Sequence, residues 1–150
     1  MIIREARRED LREILELQHQ AYQSEAELHQ NYDIPPLKQT IGEVEREFEN
    51  GIFLKLLDDK NVIIGSVRAY SQEGTLFIGK LMVHPDFRRR GLGLRLLREI
   101  ENVRPHKRYE LFTSSKSGNN IQLYQKSGYR IFAEKATTDD LVFIYLEKTQ

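Results

Sequence analysis

Residues 81–93, Leu-Met-Val-His-Pro-Asp-Phe-Arg-Arg-Arg-Gly-Leu-Gly, constrain the chain more than any other stretch, because an apolar strand runs there straight into a turn and a helix. Pro85 removes a ladder donor and stops the strand. Gly91 and Gly93 let the main chain approach a ligand closely, and Leu92, Leu96, Leu97 and Ile100 then recur at helical spacing. The first amides of a helix lack partners within it and lie at the positive end of its dipole. With Arg88, Arg89 and Arg90 in the turn, the segment predicts a cradle for a pyrophosphate or another compact polyanion.

The spacing separates this cradle from two better-known phosphate loops. It lacks a Gly-Lys-Ser/Thr ending, and its glycines do not form Gly-x-Gly-x-x-Gly. Val83-x-Pro85 followed by Arg88-x-x-Gly91-x-Gly93 instead resembles the acetyl-coenzyme A (acetyl-CoA) signature of the GNAT superfamily of N-acetyltransferases. Residues 120–132, Asn-Ile-Gln-Leu-Tyr-Gln-Lys-Ser-Gly-Tyr-Arg-Ile-Phe, resemble the same family's closing helix and strand, in the family's order and at about its separation. Read from the residues alone, Ile121, Tyr124 and Gln125 share a helical face, Gly128 is a left-handed stop, and Tyr129–Phe132 begins a strand. On that reading Tyr124 is a packed aromatic.

The resemblance implies a set of roles. The amides and side chains of Arg88, Arg89, Arg90, Gly91, Leu92, Gly93 and Leu94 would take the pyrophosphate of acetyl-CoA. The main chain of Leu81, Met82 and Val83 would pair with the pantetheine arm like another strand, and Asn120 or its neighbour Asn119 would contact that arm. Lys126 would reach the phosphates or stay solvated, and Tyr124 would protonate the leaving thiolate. Without the family, Asn119 and Asn120 read equally well as helix caps, and the arginines as solvated charge.

Composition bounds the alternatives. The chain has 150 residues, enough for one domain over 1–150 with a real core. Lys plus Arg and Asp plus Glu are each 23, so the net charge is zero and gives no broad case for nucleic acid or an anionic membrane. With no cysteine, disulfides, thiolate metal sites and a cysteine nucleophile are excluded. His19, His29, His84 and His106 show no metal-ligand spacing, so no metal is expected. No long apolar run, leader or repeat is present, which points to a soluble cytoplasmic protein, with monomer and homodimer both open.

Periodicity and turn signals give an order of elements. Met1–Arg4 reads as a strand, followed by an amphipathic helix carrying Leu11, Ile14, Leu15, Gln18, Ala21 and Tyr22 on one face, with Asp10 and Glu13 as a capping pair. From Ser24 to Leu37 the period fails and Pro35-Pro36 blocks a helix, so a loop is expected. Thr40–Asn50 is helical, and strands Ile52–Leu57, Val62–Tyr70 and Thr75–Val83 form an antiparallel meander. The cradle helix (about Gly91–Val103), strand Arg108–Thr113, helix Ser117–Lys126, and strands Tyr129–Glu134 and Leu141–Glu147 complete it. The class is α+β with a mixed sheet, in the order β-α-α-β-β-β-α-β-α-β-β. That order resembles the GNAT acyl-CoA N-acyltransferase fold along nearly the whole chain. The resemblance implies that the strands ending at Val83 and near Thr113 splay apart to admit the pantetheine arm.

One position departs from the family. Where many members carry a Glu two residues before the Leu of Leu-x-Val-x-Pro, this chain has Gly79. The base that deprotonates the amine must come from elsewhere, and Glu25 and Glu27 in the expected loop are the candidates, with Glu73 and His84 as competitors. Tyr22, Tyr32 and Asp33, with Pro35-Pro36, combine aromatic, acidic and rigid elements suited to gripping a cationic amine, or simply hold down a surface loop. The expected activity is direct acetyl transfer from acetyl-CoA to a primary amine on a small molecule or peptide. The alternative is a non-catalytic acyl-CoA-binding or sensing module on the same fold, because a cradle binds without a base.

Overall fold

Apolar side chains load both faces of the central strands, and helices cover both. The computed structural model describes residues 1–30, 32, 34–137 and 141–150. Its strands are β1 (Ile2–Glu5), β2 (Ile52–Leu57), β3 (Ile63–Gln72), β4 (Thr75–Val83), β5 (Arg108–Ser114), β6 (Arg130–Ala136) and β7 (Val142–Thr149). Its helices are α1 (Leu11–His29), α2 (Pro35–Lys38), α3 (Ile41–Glu49), α4 (Leu92–Val103) and α5 (Gly118–Lys126), with 3-10 turns at Arg8–Asp10 and Pro85–Phe87. The strands form one sheet in the order β1-β2-β3-β4-β5-β7-β6. Every pairing is antiparallel except β4 with β5. The class and element order agree with the sequence reading, with α2 added.

Two clusters make the core. On one face, Leu92, Leu96, Leu97 and Ile100 of α4 and Tyr124 of α5 pack on Leu54, Leu56, Val67, Leu76, Ile78, Leu111 and Leu146. On the other, Leu11, Ile14, Leu17 and Ala21 of α1 and Val44 of α3 pack on Phe53, Ile63 and Met82. Leu96 and Leu97 are fully buried, so cutting either back to Ala costs about 2–5 kcal/mol. That burial fixes where α4 starts, and hence where the cradle lies.

Two local expectations are corrected. Residues 24–37 are not one loop: α1 runs on to His29, and Gln30, at φ 52°, ends it. Ser24-Glu25-Ala26-Glu27 are tolerable helix residues, and the small, fully buried Ala26 carries the apolar stripe that larger side chains would have made visible. Pro35 and Pro36 open α2, where their missing amides would have had no partner anyway. Nor do Asp10 and Glu13 form a capping pair. Asp10 Oδ2 accepts from the Arg7 amide at 2.7 Å and pairs with Lys55 Nζ at 2.8 Å, while Glu13 Oε2 accepts from the Ile63 amide at 3.0 Å. The 3-10 turn ahead of α1 carries Asp10 into helical geometry, so its side chain turns back to the turn's own first amide.

Candidate active site

The sheet opens where the cradle begins. β4 pairs with β5 only from Thr75–Phe77 to Arg108–Glu110. Beyond that β4 follows β3 to the Val83–Gly65 pair, and β5 follows β7 to the Ser114–Phe143 pair. The main chain of Leu81, Met82 and Val83 therefore has no partner on its β5 side among the described residues, which is the splay that the family resemblance implied.

The turn after β4 presents a row of donors. Arg89 and Gly91 are both left-handed, at φ 66° and 74°, and α4 starts with no side-chain cap. The first bond of the helix is from the Arg95 amide to the Gly91 carbonyl, at 3.2 Å. The six amides from Arg89 to Leu94 have no acceptor among the described residues. Alternating left-handed residues curl successive N–H groups into a concave nest that suits an anion. A non-glycine residue in the left-handed region is strained, and Arg89 has no hydrogen bond to any described residue that explains the strain. A Cβ on Gly91 would meet nothing within 4 Å, so the open face of the nest is free of protein. These features fit the pyrophosphate and pantetheine of an acyl-CoA.

The arginines divide their work. Arg88 turns away from the nest: its guanidinium donates to Ser24 Oγ at 3.0 Å and to the Ala21 carbonyl at 2.8 Å, tying the cradle to α1. The Arg90 guanidinium lies 5.2 Å from the centre of the Phe87 ring, and Arg89 is exposed. The anchoring by Arg88 was not legible in the sequence, because nothing in a triple-arginine run says which side chain folds back.

Tyr124 is buried, tilted against Tyr129 with ring centres 6.2 Å apart, and its hydroxyl bonds to no described residue. Arg68 Nε is the one sealed, unpartnered side-chain N or O atom among the described residues, so the Tyr124 hydroxyl keeps some access to solvent. Burial pushes its pKa above the usual phenol range, and the charges of Tyr22 and Glu25 push the same way. Gly128 is left-handed at φ 96°, and the Tyr129 amide reaches back to the Tyr124 carbonyl at 3.0 Å, so α5 stops as its sequence predicts. Asn119, Asn120 and Lys126 are exposed on α5, and neither Asn side chain caps it.

Glu25 and Glu27 sit on α1, not in a loop. Glu25 Oε1 accepts from Ser117 Oγ at 2.7 Å, which joins α1 to the start of α5, close enough to raise the pKa of both Tyr22 and Tyr124. Glu27 is two residues on, about 200° around the helix, and exposed. Tyr22 is half-buried, and burial pushes its hydroxyl up to about 12. Tyr32 is 56% exposed, and Asp33 lies outside the described residues. Glu73 and Gly74 form the left-handed turn between β3 and β4, so Glu73 is six residues, about 20 Å of strand, from Gly79.

Gly79 faces a polar group that the sequence reading did not single out. Its partner across β3 is Arg68, which is 4% exposed. The guanidinium lies over the Phe53 ring, 4.4 Å from its centre. It donates to Gln18 Oε1 at 2.8 Å, to Glu47 Oε1 at 3.1 Å and to Gln39 Oε1 at 3.3 Å. The strand pattern gave one signal: an inward-pointing Arg in an apolar strand needs partners, and the buried Gln18 on the apolar face of α1 is one. A separate hollow of about 260 Å³ between α1 and the β2–β3 turn, reached by Glu13, Asp58 and His84, includes neither the nest nor Tyr124. Among the described residues, no cluster of three His, Cys, Asp or Glu is placed to hold a metal ion. No described helix is long and apolar enough to cross a membrane.

Comparison with known proteins agrees with this geometry. The model of the acetyltransferase (GNAT) family matches residues 8–129. Among solved structures, smu.2055 from Streptococcus mutans is 18% identical with a TM-score of 0.83, over 99% of each chain. The ribosomal-protein-S18-alanine N-acetyltransferase from Escherichia coli is 15% identical with a TM-score of 0.80, over 99% of this chain and 92% of that one. A GNAT family acetyltransferase from Elizabethkingia anophelis, solved with acetyl-CoA bound, is 20% identical with a TM-score of 0.64, over 74% of this chain and 84% of that one. No curated protein sequence matches.

Proposed function

Because the chain belongs to the acetyltransferase (GNAT) family, we propose that it transfers an acetyl group directly from acetyl-CoA to a primary amine. The observation that carries this reading is the row of six acceptor-free amides, Arg89 to Leu94, at the mouth of the β4–β5 splay. Acetyl-CoA supplies, when bound, a thioester carbonyl for the amine to attack and a thiolate that leaves, so that an N–C bond forms as the C–S bond breaks. The amides of the nest hold the pyrophosphate, and the unpaired edge of Leu81–Val83 orients the arm.

Tyr124 holds the proton for the leaving thiolate. A free phenol near pKa 10 already lies above a thiol near 8.5, and burial widens that gap. The hydroxyl is therefore protonated when the amine attacks and hydrogen-bonds the developing thiolate; as its proton passes to the sulfur, the proton lost by the attacking nitrogen restores the phenol and the CoA leaves as the thiol. Glu25, pinned by Ser117 at the start of α5, is the carboxylate that takes the amine's proton, through water. Such a base matters because an alkyl amine of pKa near 10.4 is neutral in only about one molecule in 2,500 at pH 7.

The loss of the usual Glu at position 79 favours a second reading, a module that binds acyl-CoA without turning it over. Incubation with acetyl-CoA and a panel of amines, reading both free thiol and acetylated product, separates the two. Product is expected, and Tyr124→Phe should lower its rate about 10²–10⁴-fold while acetyl-CoA affinity persists. Glu25→Gln should lower kcat/KM more than Glu73→Gln does. Binding of acetyl-CoA without product from any amine would support the binding module.

A further inference from the structure

The acceptor side of the site carries a lysine that no ion pair or hydrogen bond engages among the described residues. β4 bulges next to Gly79: Gly79 pairs with Arg68 and Met82 with Ser66, leaving Lys80 and Leu81 opposite Val67 alone. Lys80 is held at φ 49°, a strained setting for a residue with a long side chain. Its ammonium makes no hydrogen bond or ion pair with any described residue. It is partly buried; burial and then the charge of Arg68 lower its pKa, while Glu47 pulls the other way, so a carboxylate brought beside it would favour its charged form.

Glu47 is already committed, accepting from Arg68 at 3.1 Å and from the Gln39 amide. The two terminal nitrogens of Arg68 are likewise taken by Gln18, Gln39 and Glu47. Arg68 thus supplies a fixed positive charge, with both terminal nitrogens engaged and its unpartnered Nε sealed from solvent, and Lys80 is the group left to make the contact. Space is present beside it, because a Cβ built on Gly79 meets nothing within 4 Å. Tyr22 links the two groups, because its hydroxyl is within electrostatic reach of both Arg68 and Glu25. The acceptor side is therefore polarised, with carboxylate Glu25 near Tyr124 and an excess cation at Lys80.

We propose that Lys80 is a specificity residue that binds a carboxylate on the acceptor, so that the substrate class is an amino acid or a similar amino-carboxylate. This rests on the acetyltransferase reading. A zwitterion fits the polarity: its ammonium goes to the Glu25 end, where the proton must be removed, and its carboxylate goes to Lys80. A plain polyamine would bring cationic charge to a site that already has an uncompensated cation. The strain at Lys80 and the absence of a side chain at Gly79 then serve one purpose, which is to aim the ammonium into room kept for the carboxylate.

The test compares matched acceptors, the primary-amine protein amino acids and their α-carboxamides, with spermidine as a cationic control. A charge-assisted contact predicts that kcat/KM for the preferred amino acid exceeds that of its carboxamide by about ten- to a hundredfold. Lys80→Gln should bring that ratio close to one through KM, and Lys80→Arg should retain most of it. Calorimetry of the CoA-loaded protein should show the N-acetyl amino acid binding more tightly than its amide to wild type but not to Lys80→Gln. Equal or better use of carboxamides or spermidine overturns the inference, as does acetylation of none of these acceptors. An equal loss for both members of a pair in Lys80→Gln, with a shifted pH profile, would make Lys80 a base and also overturn it. Product from the wider amine panel tells the two failures apart: if another amine is acetylated, only the carboxylate assignment falls, and if none is, the acetyltransferase reading falls too.

Discussion

Helices α3 and α4 begin in opposite ways. α3 closes its own first turn: Thr40 Oγ1 accepts from the Glu43 amide at 3.3 Å, and Glu43 Oε1 accepts from the Thr40 amide at 2.9 Å. α4 starts from a left-handed glycine with no cap and leaves the amides of Arg89 to Leu94 without acceptors. A capped start needs no ligand, whereas an uncapped one leaves its amides to water or to an anion placed on it. The stability of α4 comes instead from Leu92, Leu96, Leu97 and Ile100, buried against the sheet, so its first turn is free to serve binding.

The largest effect that separates the two starts is at Gly91. Acetyl-CoA at about 100 times its Kd should stabilise the wild type by about 2.7 kcal/mol, a rise in Tm of about 5–10 °C. Gly91→Val puts a β-branched residue where φ is 74° and a side chain on the open face of the nest, so most of that rise should vanish. A Gly91→Val protein that kept the full rise would show that the nest is not the binding surface. The next effect is at the capped start. Thr40→Ala should cost about 1 kcal/mol in denaturant unfolding, yet leave the acetyl-CoA rise intact. A Thr40→Ala variant that lost the rise would break the distinction.

The smallest effect is a pH dependence. The Thr40 amide, then its hydroxyl, hold the Glu43 carboxyl below the usual carboxylate range. A carboxylate with a depressed folded pKa stabilises the protein fully above its unfolded pKa, near 4.3, and the stabilisation is lost as pH falls through the lower folded value. Glu43→Gln should therefore be less stable than wild type at pH 7, with the gap closing below about pH 4. Melting curves from pH 7 to about pH 2.5 would show this, and a gap independent of pH would mean that the carboxylate charge plays no part in the cap.

The comparison also explains what the sequence could reveal. An uncapped start followed by buried leucines is a local pattern, and Arg88-x-x-Gly91-x-Gly93 displayed it without help from the fold. The splay was expected only through the resemblance to the GNAT fold: Pro85 marked where β4 ends, but not that β5 would part from it. Other features depend on distant partners. The Arg88 side chain returns to Ala21 and Ser24, sixty-odd residues earlier, and no local rule picks it from its two neighbours. Nothing in the sequence singled out Lys80, because the bulge against Val67 is set by the pairing of β4 with β3, and the charges of Arg68 and Glu47 that act on Lys80 come from other elements. The second half of α1 hid for a simpler reason. Its buried side is made of Ala21 and Ala26, which give a weak periodic signal, so Glu25 was placed in a loop when it sits on a helix.

The central claim is that the start of α4, and not that of α3, is completed by the donor. Backbone amide resonances resolved by residue test it most directly. On saturation with acetyl-CoA, the amides of Arg89 to Leu94 should shift and gain protection from exchange, while those of Ile41 to Glu43 stay where they were. Saturation that moved neither the amides of Arg89 to Leu94 nor their exchange rates would contradict the account.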